Sequence, residues 1–395
     1  MLNYTNTKSI WFERMLDHQN MATSYKAFWL KSIFLEVIEN NGQMISFERL
    51  IHRMIAEAWY PIVQFKLNFG VQDQLSNVVK YLETNYAIVS DISKSNLLEW
   101  MTHDEKLKCD REFNRMVKGL YQMVPYRLIN PFFSESTKGM KDQTKNRMIT
   151  ELASQATDVF YRVYSERRCI QLQEDWITYI NKNQAILIGW LNHKLTGYLQ
   201  NKNLSVPNIL SKLEPPISRD LSWAKLYWQD AIVRLKLLDL YTNLPYDLVN
   251  IEELGAISID HFVPWSFVLH DELWNLAPTF KHVNSAKGNR LPRLEESLDL
   301  FCELQYRVFL TMRSEHNHKK VMEDYLNLGG SLNNRSILLE NEPVDQALFI
   351  DSLKRTINPL HQIAFNQGYG IWNGYQFYNA NATLAAESVK ELDIY

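Results

Sequence analysis

Apolar side chains recur at helical spacing over roughly the first 120 residues of the chain. From Tyr25 to Glu39, the positions Phe28, Trp29, Ile33, Phe34, Val37 and Ile38 share one helical face. Ser24 reads as the N-cap of that helix and Asn40-Asn41-Gly42 as its stop. A second helix follows Ser46 and carries Leu50, Met54, Ile55 and Ala58 until Pro61 interrupts it, and a third covers Leu75 to Leu82. The aromatic residues here (Trp11, Phe28, Trp29, Phe34, Trp59, Tyr60) fall at the same spacing, so they read as bundle core rather than as platforms for stacked bases.

The pattern breaks between Pro125 and Arg147, where Lys138, Lys141, Lys145 and Arg147 cluster among prolines and a glycine. This reads as a solvated loop or helix start, the alternative being contact with a phosphate backbone. Helical periodicity resumes from Met148 to about Tyr198. A second break, Asn201 to Ser218 with Pro207, Pro215 and Pro216, is the best candidate domain boundary. Beyond it a long amphipathic helix is expected from Asp220 to Tyr241, with Trp228, Ala231, Ile232, Leu235 and Leu238 on its apolar face. Short strand-like runs follow Asn243 to Tyr246. The chain is again mostly helical from Leu310, punctuated by Gly329-Gly330 and Asn333-Asn334, with an irregular tail.

Composition narrows the class. The 395 residues are 46% hydrophobic and 22% charged, which excludes a wholly disordered chain. No apolar run approaches the ~18 residues of a membrane span, so no membrane partner is expected. The N-terminus lacks a basic-then-apolar pattern, so no secretory signal is expected and a cytoplasmic location is. Cys109, Cys169 and Cys302 are too scattered for a disulfide framework or a zinc ribbon. With a net charge of -3, an anionic partner would have to meet a local basic patch.

The chemistry concentrates between Gly255 and Pro292. The coarse reading is a strand from Ala256 to Phe262, a loop with Pro264, a turn or short strand at Leu273 to Ala277, and a helix from Lys281. Asp260 and His261 sit together at the strand end; Asn275 follows His261 by 14 positions and Asn284 follows Asn275 by 9. Here the sequence resembles the HNH endonucleases, built on a ββα-metal hairpin, in a variant similar to the HNH domain of RNA-guided CRISPR effector nucleases. The flanking residues Ile259, Pro264-Trp265-Ser266, Leu276 and the run from Asn284 to Pro292 carry the same likeness, which covers about a tenth of the chain.

Phosphodiester hydrolysis needs a base for the attacking water, a Lewis acid at the phosphate and stabilisation of the leaving oxygen. The resemblance implies His261 as base and Asp260 with Asn284 as ligands of one divalent cation. Where the family often has histidine this chain has Asn284, and an all-oxygen pair suits Mg²⁺ or Mn²⁺ better than zinc or nickel. By resemblance, Asn275 bonds loop backbone and so holds the histidine. No acidic residue lies between Glu272 and Glu295, whereas Lys281, Lys287, Arg290 and Arg293 are basic. Lys287, three residues after Asn284 on a helix, is expected to touch a phosphate, with Lys281 and Arg290 as further nucleic-acid contacts. Arg290 and Arg293 are equally well read as a solvated basic face.

Other residues draw weaker expectations. His282 faces another side of the helix from Asn284. His316-Asn317-His318 reads as solvated helix surface. His270 and Asp271 read as loop residues facing water, with substrate contact as the alternative, and Glu252-Glu253 as a charged turn. The expected architecture is mainly α, with helical N-terminal and C-terminal regions around the embedded hairpin. Residues 1–200 would serve recognition or partner docking, 201–310 would hold the nuclease module, and 311–395 would be helical and irregular. By resemblance the substrate is DNA, although no residue distinguishes it from RNA, and the role is bacterial restriction or anti-phage defence. The competing class is a helical scaffold subunit of a larger effector complex, whose hairpin binds nucleic acid or cuts only when a protein partner activates it.

Overall fold

The helical spacing of the N-terminal region is realised in α1 (Tyr25–Asn40), α2 (Phe47–Trp59) and α3 (Gln74–Tyr86) of the computed structural model. The structure describes residues 7–17, 23–216, 218–315, 322–328, 338 and 342–375. It is mainly helical, and divides into two units, 1–217 and 218–395. The His316-Asn317-His318, Gly329-Gly330 and Asn333-Asn334 segments lie outside the described residues, as does the tail from 376.

In the first unit, α1 stops where Asn41 turns left-handed (φ 51°), a conformation that asparagine tolerates. Ser24 stands at the N-cap position of α1, but its hydroxyl makes no capping bond; its backbone N–H donates to Asp73 Oδ2 at 2.8 Å. Ser46 does cap α2, its hydroxyl accepting from the Arg49 N–H at 3.1 Å. Pro61 falls in a π-helical turn, Tyr60–Gln64, that extends α2 rather than cutting it. The continuous helical pattern expected from Met148 to Tyr198 is interrupted. A helix spans Asp142–Gln155, and then β2 (Tyr161–Tyr164) and β3 (Cys169–Leu172) form an antiparallel hairpin that β1 (Met44–Ser46) joins in the order β1-β3-β2. The reason is alternation: Tyr161 and Val163 are buried while Arg162 and Tyr164 are half-exposed, a period of two hidden inside an apolar stretch.

The second unit carries α4 (Ser222–Leu235), β4 (Ile257–His261), β5 (Leu276–Phe280), α5 (Lys281–Lys287), α6 (Leu294–Met312) and α7 (Gln346–Asn366). The helix expected to run to Tyr241 ends six residues sooner. Lys236 adopts a left-handed conformation (φ 49°, ψ 51°) and caps α4, after which Leu238 bridges to Pro245. Leu238 is therefore half-exposed instead of facing a core, and Tyr241 is released from the helix. Buried Asp239 then accepts from the Thr279 hydroxyl at 2.8 Å, fastening this turn to β5. β5 is buried along its whole length. Phe262 stacks on Phe301 of α6 at 4.2 Å, and Leu254, Phe280, Val283 and Trp372 form a cluster beneath the hairpin. Among the described residues, no helix is long and apolar enough to cross a membrane.

Buried charge anchors the first unit. Lys31 of α1 meets Glu57 of α2 at 2.9 Å, Lys94 meets Glu57 at 2.8 Å, and both lysines also reach Glu214. Burial alone would raise the Glu57 carboxyl, but the two ammonium groups outweigh it and hold it at about 2. Removing Glu57 leaves the two ammonium groups, Lys31 buried, to share Glu214 alone, so Glu57→Ala should destabilise the protein by up to roughly 3–5 kcal/mol. The folded pKa lies below the unfolded one. The Glu57 contribution is therefore intact above about 4.5 and lost as pH falls toward about 2. Urea unfolding of wild type and variant across that window checks both points: the gap between their midpoints should close as pH falls.

Candidate active site

Backbone geometry brings the motif together. β4 and β5 pair antiparallel from Ile257↔Phe280 to His261↔Leu276, and α5 begins at the next residue. The Lys281 N–H donates to Ala256 O at 3.0 Å, folding α5 across the start of β4. Gly255 (φ 85°) permits this approach: a Cβ there would lie 3.1 Å from the Lys281 Cβ. At the other end of β4, strand alternation sends the side chains of Asp260 and His261 to different partners.

Asp260 is held from two directions. Its Oδ1 is 2.9 Å from the Lys287 ammonium and its Oδ2 accepts from the Tyr241 hydroxyl at 2.6 Å. The side chains of Asp260 and Lys287 are 4% and 1% exposed. Lys287 also donates to His261 O at 2.7 Å, so this lysine lies inside the ββα unit instead of projecting from a basic helix face. Burial, then the charge of Asp260, keeps the Tyr241 hydroxyl protonated well above its ordinary range, so Tyr241 is the donor in the pair. Its ring is fixed edge-on to Trp372 at 5.0 Å.

His261 faces Asp271. Its Nε2 lies 2.8 Å from Asp271 Oδ1, and Arg219 approaches the same oxygen at 3.1 Å while stacking over Trp265. Burial raises Asp271, but the hydrogen bond and charge of His261 and the charge of Arg219 outweigh it and keep the carboxyl ionised. An ionised carboxylate only accepts, so His261 must carry its proton on Nε2. Burial lowers the His261 pKa against the raising effect of Asp271, which keeps the ring neutral at pH 7. The Nδ1 lone pair is then available to a proton.

The two asparagines do different work. Asn275 is fully buried; its Oδ1 accepts from the Val263 N–H and its Nδ2 donates to Val263 O, both at 2.9 Å. It thereby closes the chain two residues beyond His261. Asn284 donates through Nδ2 to Ser258 Oγ at 2.8 Å and to Ile259 O at 3.1 Å. Because a carbonyl only accepts, the amide nitrogen must face Ile259 and the amide oxygen must point away from it. No group of three or more His, Cys, Asp and Glu side chains that could hold a metal ion occurs among the described residues. The available donors are the Asp260 carboxylate and the Asn284 oxygen. Two hard oxygens fit a cation that keeps most of its shell as water and phosphate oxygen.

Lys281 is exposed at the start of α5, and Arg290 is exposed beyond its end, where it bonds the Lys287 and Ala286 carbonyls. His282 lies beside Gly255, at the far end of β4 from Asp260, and the His270 ring packs on Trp274. Three residues of the site escape sequence reasoning: Tyr241, Asp271 and Arg219. Asp271 is the nearest to being findable, since it stands in the loop between His261 and Asn275. Residues 239–293 match the HNH endonuclease family, a match that begins upstream of the hairpin and takes in Asp239 and Tyr241. No curated protein and no solved structure matches the chain.

Asn275→Ala would strip both Val263 backbone groups of their partners inside the core. At about 1–3 kcal/mol for each orphaned group, the variant should lose a few kcal/mol of stability. Denaturant unfolding followed by tryptophan fluorescence checks this; a loss below about 1 kcal/mol would contradict the clamp.

Proposed function

From the premise of an HNH endonuclease domain at residues 239–293, we propose that the protein is a Mg²⁺- or Mn²⁺-dependent endonuclease that hydrolyses phosphodiester bonds in DNA. The observation that carries this reading is the separation of roles at the end of β4. The neutral His261 ring, bonded through Nε2 to Asp271, lies on one side, and the Asp260 carboxylate and the Asn284 amide, whose oxygen points away from Ile259, lie on the other. His261 Nδ1 takes the proton from the attacking water, while Asp271, itself braced by Arg219, holds the ring and stabilises the imidazolium that forms. Asp260 and Asn284 would hold the cation, whose contribution when bound is neutralisation of the scissile phosphate and stabilisation of the leaving oxygen. Tyr241 keeps Asp260 oriented, and Asn275 keeps the chain after His261 in register.

Lys287, expected from its spacing to touch a phosphate, is instead buried, and its ammonium is spent on Asp260 and the His261 carbonyl, so its part is to position the end of β4. Lys281, exposed at the start of α5, and Arg290, exposed just beyond its end, would contact flanking phosphates. The choice of DNA rests on family resemblance, and a role in restriction or anti-phage defence rests on analogy.

Nicking of supercoiled plasmid tests the proposal. The wild type should cut in Mg²⁺ or Mn²⁺ and stop when a chelator is added. His261→Ala should lose about 10²–10⁴-fold in rate, the usual worth of a positioned general base. Asp271→Ala should fall about ten-fold or more, because the ring loses its orienting partner. Equal cutting by wild type and His261→Ala would overturn the assignment.

A further inference from the structure

The first unit contains a cavity of about 650 Å³ that the nuclease reading does not use. It opens between the start of α2, the helix Arg111–Tyr121 and the turn joining β2 to β3. Its size is that of a site for one small ligand rather than a groove for an extended chain. Arg111, Lys118, Arg167 and Arg168 stand exposed on its wall, and none makes an ion pair with the described residues. Lys108 and Arg115 also line it but are paired, with Glu105 and Glu112, and Glu48 is the one carboxylate in the lining. Arg168 is held in a left-handed conformation (φ 48°), uncommon for arginine, with its guanidinium over the Tyr121 ring.

The second observation is inside the cavity. His52 is only 5% exposed and lines the wall beside Phe47 and Phe113. Its ring packs on Phe113 and takes part in no hydrogen bond with the described residues. Burial, aided by the charge of Arg49, lowers it to about 4, so near neutrality it offers one donor and one acceptor. A ligand that enters the cavity against this wall can bond the ring through either nitrogen.

Three cations without an ion pair among the described residues at the mouth, a fourth stacked on Tyr121, an aromatic floor and one buried imidazole form a set with two chemistries. We propose that this cavity binds a nucleotide, with phosphate at the Arg111, Lys118 and Arg167 rim and the flat base on the Arg168–Tyr121 stack, toward His52. Guanidinium groups recognise phosphate bidentately, and an arginine already stacked on tyrosine gives a surface on which a base can lie. The nucleotide could come free from solution or as the 5′ end of a nucleic-acid strand. Every residue invoked belongs to the first unit, so the inference does not depend on the nuclease assignment.

Calorimetric titration of the full chain, in a His261→Ala background to prevent cleavage, tests it. The probes are ADP, adenosine, inorganic phosphate, and a single-stranded DNA dodecamer with and without a 5′-phosphate. ADP or the phosphorylated strand should bind at least about ten-fold more tightly than adenosine, which lacks the phosphate, inorganic phosphate, which lacks the base, or the unphosphorylated strand, which lacks the dianionic terminal phosphate. Arg111→Glu with Arg167→Glu, both exposed positions, should weaken that binding more than ten-fold, and His52→Phe should weaken it by about ten-fold. Preference for ADP over the phosphorylated strand identifies a free nucleotide, and the reverse identifies a strand end. Failure of both to bind, binding unaffected by the double arginine variant, or inorganic phosphate binding as tightly as ADP would overturn the proposal.

Discussion

A buried ammonium 2.9 Å from a buried carboxylate, Lys287 against Asp260, is the interaction on which the second unit's chemistry depends. Desolvating either charge alone would cost several kcal/mol, so each is tolerable only in the presence of the other. The lysine then spends a second N–H on the His261 carbonyl. One side chain at the end of α5 thereby fixes the last two residues of β4, while Tyr241 closes on Asp260 from the turn that follows α4. Helix, strand and turn meet at a single carboxylate. The aromatic cluster beneath, with Trp372 against Tyr241, keeps that meeting point out of water.

The result is a strand end with two unlike sides. Toward Asp271 lies an imidazole that burial keeps neutral and one carboxylate keeps in a single tautomer. Toward α5 lie an acidic side chain and an amide whose nitrogen is committed to Ser258 and Ile259, which turns its oxygen away from them. Period-two alternation makes this division without special geometry, because neighbouring residues on a strand face opposite ways. A base and a cation site can thus be contributed by consecutive residues without competing.

What the sequence discloses follows the range of the interactions concerned. Asp260, His261, Asn275 and Asn284 are legible because a strand pair and its following helix are local, and their spacings are set by two five-residue strands and the loop between them. Asp271 is not, since its bond to His261 depends on the path of the intervening loop, which turns at a left-handed Leu269 that no pattern announces. Tyr241 is hidden for a related reason: apolar spacing runs on through Leu238, while the helix is stopped by Lys236, a residue with no particular bias toward ending helices in that conformation. The burial of Lys287 is equally unannounced, because charge spacing alone describes a solvated face. In the first unit the long helices follow their periodicity, but β1, β2 and β3 are only three or four residues each and pair across most of that unit.

In the proposed mechanism Asp271 holds His261 as the Nε2–H tautomer and leaves Nδ1 free to act as the base. The most direct measurement is long-range ¹H–¹⁵N correlation NMR of the imidazole at neutral pH, with His261 assigned by comparison with His261→Ala. The account predicts a protonated Nε2 and a bare Nδ1 in the wild type, with that preference lost in Asp271→Ala. A protonated Nδ1 in the wild type, or a tautomer indifferent to Asp271, would contradict it.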